Sequence, residues 1–199
     1  MSELSTPTGR EETLRAVPRP DGTAPRALVL GATGYIGGRL VPRLIAAGYR
    51  VRVLVRDPAR LGAFDWGEQV EAVVGSAADA RAIAEAADDV DVLYYLIHSM
   101  AAGKGFEQAD LAAARTVATA AAAASVGRLV YLGGLHPEGV PLSPHLRSRV
   151  EVGEVFLRSG VPTLVLQAGV GLGAGSAPAL LYHRPSLQPS PCRDVWASC

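Results

Sequence analysis

The stretch VLGATGYIGG, residues 29–38, places four glycines within ten residues, directly after the apolar run ALVL. That run predicts a strand, and residues 35–48 carry apolar side chains at helical spacing. Gly31 allows a tight turn, Gly34 lets the backbone approach a pyrophosphate, and Gly37 lets the helix pack closely on the strand. Backbone N–H groups at the start of the helix attract phosphate. We therefore expect a dinucleotide here, and the alternative is a turn that is merely tight.

Composition is that of one ordinary globular domain. The 199 residues are 49% hydrophobic and 19% charged, with 19 basic and 19 acidic side chains. This balance indicates no general attraction to nucleic acid or to an anionic membrane, and no apolar run approaches the roughly 18 residues that span a bilayer. The two cysteines, Cys192 and Cys199, lie too near the end to staple a core, and residues 1–26 lack the apolar stretch of a secretory signal. We expect a cytoplasmic protein of unknown oligomeric state, with no nucleic-acid or membrane partner.

Strand and helix patterns alternate along the chain. The strands are predicted at 27–31, 49–55, 70–75, 90–97, 127–134 and 162–169, and the helices at 35–48, 79–88, 106–125 and 145–159. Apolar, β-branched strands joined by helices predict a parallel sheet that is buried on both faces. The fold class is therefore α/β, a doubly wound parallel sheet of about six strands.

Changes in composition divide the chain into three parts. Residues 1–26 are rich in Pro, Thr, Arg and Glu and predict a mobile arm. Residues 27–177 form the expected dinucleotide-binding domain. Within it, 109–124 contains ten alanines and predicts a helix pressed against the sheet, with Gly127 as its stop. Residues 178–199 contain four prolines and no clear period, and we expect an irregular tail.

Several segments together resemble one known family. The spacing in GATGYIG is similar to that of extended and atypical short-chain dehydrogenases/reductases, and further segments resemble the bacterial NmrA-like branch: YLIHSM (95–100), YLGGLHPEG (131–139), the run 143–169, and GAGSA (173–177). The resemblance implies a Rossmann domain that binds NAD(P) and contacts the cofactor through Thr33, Tyr35 and Ile36 as well as the glycines. It also implies hydride chemistry on an unidentified small molecule.

The end of the second predicted strand bears on the choice of dinucleotide. NAD enzymes usually place Asp or Glu there to hold the ribose hydroxyls. This chain has Arg56, whose guanidinium can pair with a 2′-phosphate. The resemblance therefore implies NADP in preference to NAD, although Asp57 follows and is able to reverse the preference. The alternative for Arg56 is a solvated loop charge.

Two further positions relate to the ends of the cofactor. Relatives often carry Asp after the third strand, near the adenine, whereas this chain has Ser76, and Asp79 lies three residues too late. His98 follows the fourth strand, where the resemblance implies a ribose contact or a proton relay. A structural histidine in that loop is an equal alternative.

The reductases of this superfamily resemble one another in a Tyr-x-x-x-Lys pair on the helix after strand five. The best register here puts His145 at the Tyr position and Arg149 at the Lys position, and GGLHP lacks the hydroxyl residue that usually follows the strand. His145 can exchange a proton near neutral pH, whereas Arg149 can hold a phosphate or ribose but cannot act as a base. The alternative for His145, which is favoured, is a histidine at the helix start beside a cofactor-facing arginine. His136 is a second acid–base candidate. No metal-ligand cluster is expected.

Three functions remain open on this evidence. The first is an NAD(P)-dependent oxidoreductase-like protein. The second is a sensor that binds the cofactor without turnover, which the missing Tyr and Lys favour. The third is an inactive fragment, because relatives continue into a substrate-binding portion whereas this chain changes character near Pro178.

Overall fold

The computed structural model describes residues 15–97, 105–135 and 141–168. In this part of the chain strands and helices alternate, with two short 3₁₀ helices, Pro58–Ala63 and Gly67–Gln69, between the second and third strands. The strands are β1 Arg26–Leu30, β2 Arg50–Val55, β3 Glu71–Val74, β4 Val92–Tyr95, β5 Arg128–Gly134 and β6 Thr163–Ala168; the helices are α1 Gly37–Ala46, α2 Ala80–Ala87, α3 Phe106–Ala123 and α4 Pro144–Leu157. Every predicted element is present, with ends that differ by at most two residues.

The sheet is parallel throughout and has the order β3-β2-β1-β4-β5-β6. Strand β1 lies near the centre, β2 and β3 extend the sheet to one edge, and β4, β5 and β6 extend it to the other. This confirms the doubly wound fold. The connections leaving β1 and β4 diverge at the carboxyl ends of these strands, and ligands bind in the resulting crevice in open sheets of this kind.

Side chains of alternate strand residues form one apolar core on each face of the sheet. Helices α2, α3 and α4 cover one face, where Tyr95 and Phe156 are among the largest fully buried side chains. Helix α1 and the 3₁₀ segment cover the other face, around Val41 and Trp66. The alanine-rich α3 lies directly on the sheet, as predicted, because its small side chains allow a close approach.

Pro42 lies in the second turn of α1 and has no N–H to donate to the carbonyl of Gly38. The indole Nε1 of Trp66 donates to that oxygen instead, at 3.3 Å. A side chain at position 38 would meet Phe64, whose ring stacks on Trp66. The helix therefore tolerates its proline because the segment after β2 folds back onto it.

The ends of α1 and α3 use the same backbone device with different residues. Gly48 ends α1 with a φ of +95°, and Tyr49 N–H then donates to Leu44 O, as expected for a glycine cap. The stop predicted for α3 at Gly127 is wrong. Ser125 takes the left-handed conformation there, with a φ of 55°. Position 127 needs glycine because an added Cβ would lie 2.8 Å from Asp91 O.

Residues 15–25 differ from the mobile arm expected over 1–26. Ala16 N–H donates to Ala47 O at 2.7 Å, and the Arg19 side chain donates to the Asp91 carboxylate at 2.7–3.1 Å. Pro25 O accepts from Arg50 N–H at the start of β2. The described structure thus begins well before β1, because partly exposed ion pairs and backbone hydrogen bonds hold this segment to the domain.

Both edge strands carry exposed apolar side chains. Val74 on β3 is 58% exposed and Leu164 on β6 is 45% exposed. None of the helices in the described ranges combines the length and the apolar character that crossing a bilayer requires.

Candidate cofactor and active site

The glycine loop sits at the switch point of the sheet, between the carboxyl ends of β1 and β4. Gly31 has a φ of +91°, and a Cβ there would lie 3.2 Å from the carbonyl carbon of Leu96. At Gly37 a Cβ would lie 2.2 Å from Gly31 O, so α1 can start this close to the turn only with glycine. The roles assigned from the sequence to these two glycines therefore match the geometry.

The start of α1 leaves its backbone donors open. The N-cap residue is Ile36, which offers no side-chain acceptor, and the first turn contains no acidic residue. Gly38 N–H donates to Gly34 O, but the N–H groups of Tyr35, Ile36 and Gly37 have no acceptor within the described ranges. Unpaired N–H groups and the positive end of the helix dipole together make a cradle for phosphate. A pyrophosphate fits this cradle.

The side chains beside the cradle are unusually open for apolar residues. Tyr35 is 45% exposed and Ile36 is 42% exposed. The guanidinium of Arg39 stacks over the Tyr35 ring, 3.7 Å from its centroid, and donates to Tyr35 O. This contact adds a positive charge to the outer side of the loop.

Arg56 lies directly after β2 and is exposed, without an ion-pair partner in the part of the chain that the structure describes. The neighbouring Asp57 is engaged elsewhere. Its carboxylate caps the 3₁₀ helix by accepting from Ala59 N–H at 3.0 Å. One oxygen of this carboxylate is therefore engaged in the turn, whereas the Arg56 cation is free of partners in the described ranges.

The residues after β3 have local structural roles. Asp79 is the N-cap of α2, where its Oδ1 accepts from Arg81 and Ala82 N–H. Ser76 Oγ accepts from Ala78 N–H at 3.3 Å. Asp79 is thus committed to the helix, in agreement with the expectation that it does not replace the missing Asp.

At the carboxyl end of β5, the structure brings together residues that the sequence did not connect. The half-buried Arg149 of α4 lies across Gly134, because a Cβ at position 134 would be 3.1 Å from Arg149 Cδ and 2.9 Å from Leu146 Cδ2. A serine at this position would collide with both side chains. The absence of a hydroxyl side chain at position 134 is therefore what allows Arg149 to lie there. The pair Gly133 and Gly134 at the end of β5 was the only sequence signal for this close approach.

Two tyrosines lie beneath this arginine. The Tyr131 hydroxyl donates to Arg149 O at 3.1 Å, and its ring packs against Tyr95 and Phe156. Burial raises the pKa of Tyr131 to about 12, opposed by the charge of Arg149 and aided by that of Asp110. Burial likewise raises the pKa of Tyr95, so both phenols stay neutral and fix the position of α4.

His145 is exposed near the start of α4, which Ser143 caps by accepting from Leu146 N–H. Its ring stacks on Phe106, the first residue of α3, with the ring centroids 4.4 Å apart. The histidine thus lies beside the starts of two helices. His98 and His136, the other candidates for proton transfer, lie outside the described residues. Within the described ranges no cluster of His, Cys, Asp and Glu has the grouping of a metal site.

Comparison with known proteins agrees with this geometry. The model of a family described as NAD(P)H-binding matches residues 31–154, more than half of the chain. The chain is 30% identical over 157 residues to sterol demethylase protein B of Methylococcus capsulatus, covering 73% of this chain and 48% of that protein. It therefore spans about half the length of this curated relative.

Solved structures give the same result. A short-chain dehydrogenase/reductase superfamily protein from Agrobacterium tumefaciens with bound NAD is 25% identical, with a TM-score of 0.60 over 71% of this chain and 48% of that one. NADPH-dependent quinone oxidoreductase QOR2 from Escherichia coli, complexed with NADPH, is 26% identical, with a TM-score of 0.60 over 72% and 48%. The resemblance read from the glycine loop is confirmed, and the chain belongs to the NAD(P)H-binding family.

Proposed function

We propose that this chain is the cofactor-binding part of an NADP-dependent reductase that transfers hydride to a small organic molecule. The observation that carries the proposal is the cradle at the start of α1, where three backbone N–H groups converge without an acceptor in the described ranges. Bound there, the cofactor supplies the hydride. The glycines and Thr33, Tyr35 and Ile36 would hold its pyrophosphate, as in the proposed family mode.

NADP is the proposed cofactor because of the contrast between Arg56 and Asp57. The exposed guanidinium is available for a 2′-phosphate, while the neighbouring carboxylate accepts a backbone N–H at 3.0 Å. Two arginines, Arg56 and Arg39, give this side of the loop a positive charge that suits an additional phosphate. NAD is the alternative.

The nicotinamide end is proposed to lie near the carboxyl ends of β4 and β5, close to Arg149, and His98 stays a candidate for a ribose contact from the resemblance alone. His145 is the proposed acid or base. We further propose a cytoplasmic location and a small-molecule substrate.

A second candidate, a sensor that binds the cofactor without turnover, is favoured by one observation. A side chain at Gly134 would require Leu146 and Arg149 to shift, and an arginine stands where a lysine would assist proton transfer. Binding of NADPH without its oxidation by any of a panel of aldehydes, ketones, enones and quinones would support the sensor.

The deciding experiment is calorimetric titration of the chain with NADPH, NADP+, NADH and NAD+. The expected result is saturable binding, at least tenfold tighter for NADP(H) than for NAD(H). Tighter binding of NAD(H) would show that NAD is the cofactor and would overturn the choice of NADP. If none of the four dinucleotides binds, the proposed cofactor-binding function is overturned.

A further inference from the structure

The pairing of Gly134 with Arg149 carries a more specific inference about the substrate, which rests on the proposed function. The guanidinium crosses the last residue of β5, next to the strand whose carboxyl end borders the cofactor crevice. It has no carboxylate within ion-pair distance in the described ranges. The charge is half-buried, so a bound anion would be partly shielded from water.

The position of Arg149 is held by the structure around it. Tyr131 donates to its backbone oxygen at 3.1 Å. One turn further along α4, the Tyr131 ring packs against Gly153, where an added Cβ would lie at an ordinary contact distance of 3.5 Å from Tyr131 Cε1. A fixed backbone and the absence of a side chain at Gly134 let the Arg149 side chain lie over the last residue of β5. A fixed donor of this kind stabilises negative charge with little reorganisation.

We infer that Arg149 binds the oxyanion that forms on a conjugated carbonyl substrate, an enone or a quinone. When hydride adds to such a substrate, the electron pair of the π bond moves through the conjugated system onto oxygen. The oxygen becomes an enolate or phenolate, which Arg149 holds until a proton arrives in a separate step, from the proposed acid His145 or from water.

The chemistry of arginine selects this substrate class. A guanidinium stays protonated and does not give up a proton at neutral pH. The conjugate acid of a phenolate-type oxygen has a pKa of about 10, so an ion pair with the guanidinium is sufficient to stabilise the anion without a proton. An alkoxide from an isolated ketone is far more basic, close to hydroxide, and requires a proton donor during the reaction.

The test uses 4-nitrophenol, whose anion is yellow while the neutral phenol is colourless, added to the NADP+-loaded full chain. We expect the apparent pKa of the probe to fall by about one unit or more on binding, which is a tenfold stabilisation of the anion. Arg149→Gln should abolish this shift and Arg149→Lys should restore part of it. Gly134→Ala should reduce it, because the added methyl would force the Arg149 side chain to shift.

The matched control is Arg147→Gln, which removes an exposed arginine two residues away on the same helix and should leave the shift unchanged. Thermal unfolding of each variant checks that the domain is intact. NADPH titration of the same samples separates the two proposals. If the wild-type chain binds NADPH but does not shift the pKa of the probe, only this inference is overturned. If the wild-type chain does not bind NADPH, the proposed function is overturned.

Two further outcomes would also contradict the inference. A loss of NADPH affinity above tenfold in Arg149→Gln would assign the guanidinium to the cofactor. Tight binding of benzoate, with no ionisation of bound 4-nitrophenol, would assign it to a substrate carboxylate instead.

Discussion

Charged groups at the two ends of the sheet differ in whether they have ion-pair partners. At the amino end, Arg26 and Arg52 are almost fully buried and pair with Asp89 and Glu71, and Arg19 joins them through Asp89. At the carboxyl end, the cations and the helix amides lack such partners within the described ranges. Paired charge stabilises a fold, whereas unpaired donors in a crevice are available to a ligand. The contrast assigns stability to one end and binding to the other.

The largest effect is expected from Gly37→Ala at the carboxyl end. The added methyl would lie 2.2 Å from Gly31 O and would force α1 away from the turn. We expect loss of NADPH binding in calorimetry and a stability decrease of about 1–3 kcal/mol in urea unfolding. Gly62→Ala is the control, since a Cβ there meets nothing within 4 Å. Normal NADPH affinity in Gly37→Ala would refute the cradle.

Arg56→Ala should separate the two dinucleotides. Loss of a charge-assisted contact worth about 1.5–3 kcal/mol predicts NADPH binding weaker by about 10- to 100-fold, with NADH binding unchanged. Arg60→Ala, which removes another exposed cation of the same loop, is the control. Equal losses for both dinucleotides would contradict the assignment of Arg56 to the 2′-phosphate.

Arg52→Met tests the amino end. The Arg52 guanidinium donates to the carbonyls of Glu85, Ala86 and Asp88 at the end of α2 as well as to Glu71. We expect a loss of about 1–3 kcal/mol in urea unfolding, because buried carbonyls lose their donor. NADPH affinity should not change, and Arg50→Met, at the exposed first residue of the same strand, should do little. If Arg52→Met also weakened NADPH binding, the assignment of stability to the amino end and of binding to the carboxyl end would be contradicted.

Trp66→Phe should cost about 0.5–1.5 kcal/mol through the loss of its hydrogen bond to Gly38 O. Pro42→Ala supplies a backbone N–H that can reach the same oxygen. The cost of Trp66→Phe should therefore be smaller in the Pro42→Ala background, as measured by a double-mutant cycle in urea. Equal costs in both backgrounds would show that Trp66 acts through packing alone.

The smallest effect is expected from Glu71→Gln. The hydrogen bond from Arg52 holds the pKa of Glu71 below its usual value, so the carboxylate stabilises the fold above the unfolded-state pKa of about 4.3. That contribution is lost as the pH falls through the lower, folded-state pKa. Because Glu71 is half exposed, we expect about 0.2–1 kcal/mol at pH 7 and no difference between variant and wild type in strong acid. A difference that persists in acid would point to packing instead of charge.

Local patterns were sufficient for the architecture. Apolar runs of strand length, helical spacing and the glycine triplet predicted every strand and α-helix, the sheet type and the cofactor loop. These features depend on residues that are close in sequence, since a turn, a helix start and a cap are each built within a few positions. Asp57 shows the limit of this reasoning, because its type suggested a ribose contact whereas its carboxylate caps the turn beside it.

The sequence by itself determined the strand–helix alternation, the tight turn at Gly31 and the requirement for a small residue at Gly37. Tertiary structure decided which polar groups are paired and which are available. Arg19 and Asp91 are 72 residues apart in sequence, and Tyr131 and Arg149 are 18 apart. The guanidinium over Gly134 exists because α4 packs against the end of β5. Contacts between distant segments form only when elements dock, so no local pattern records them.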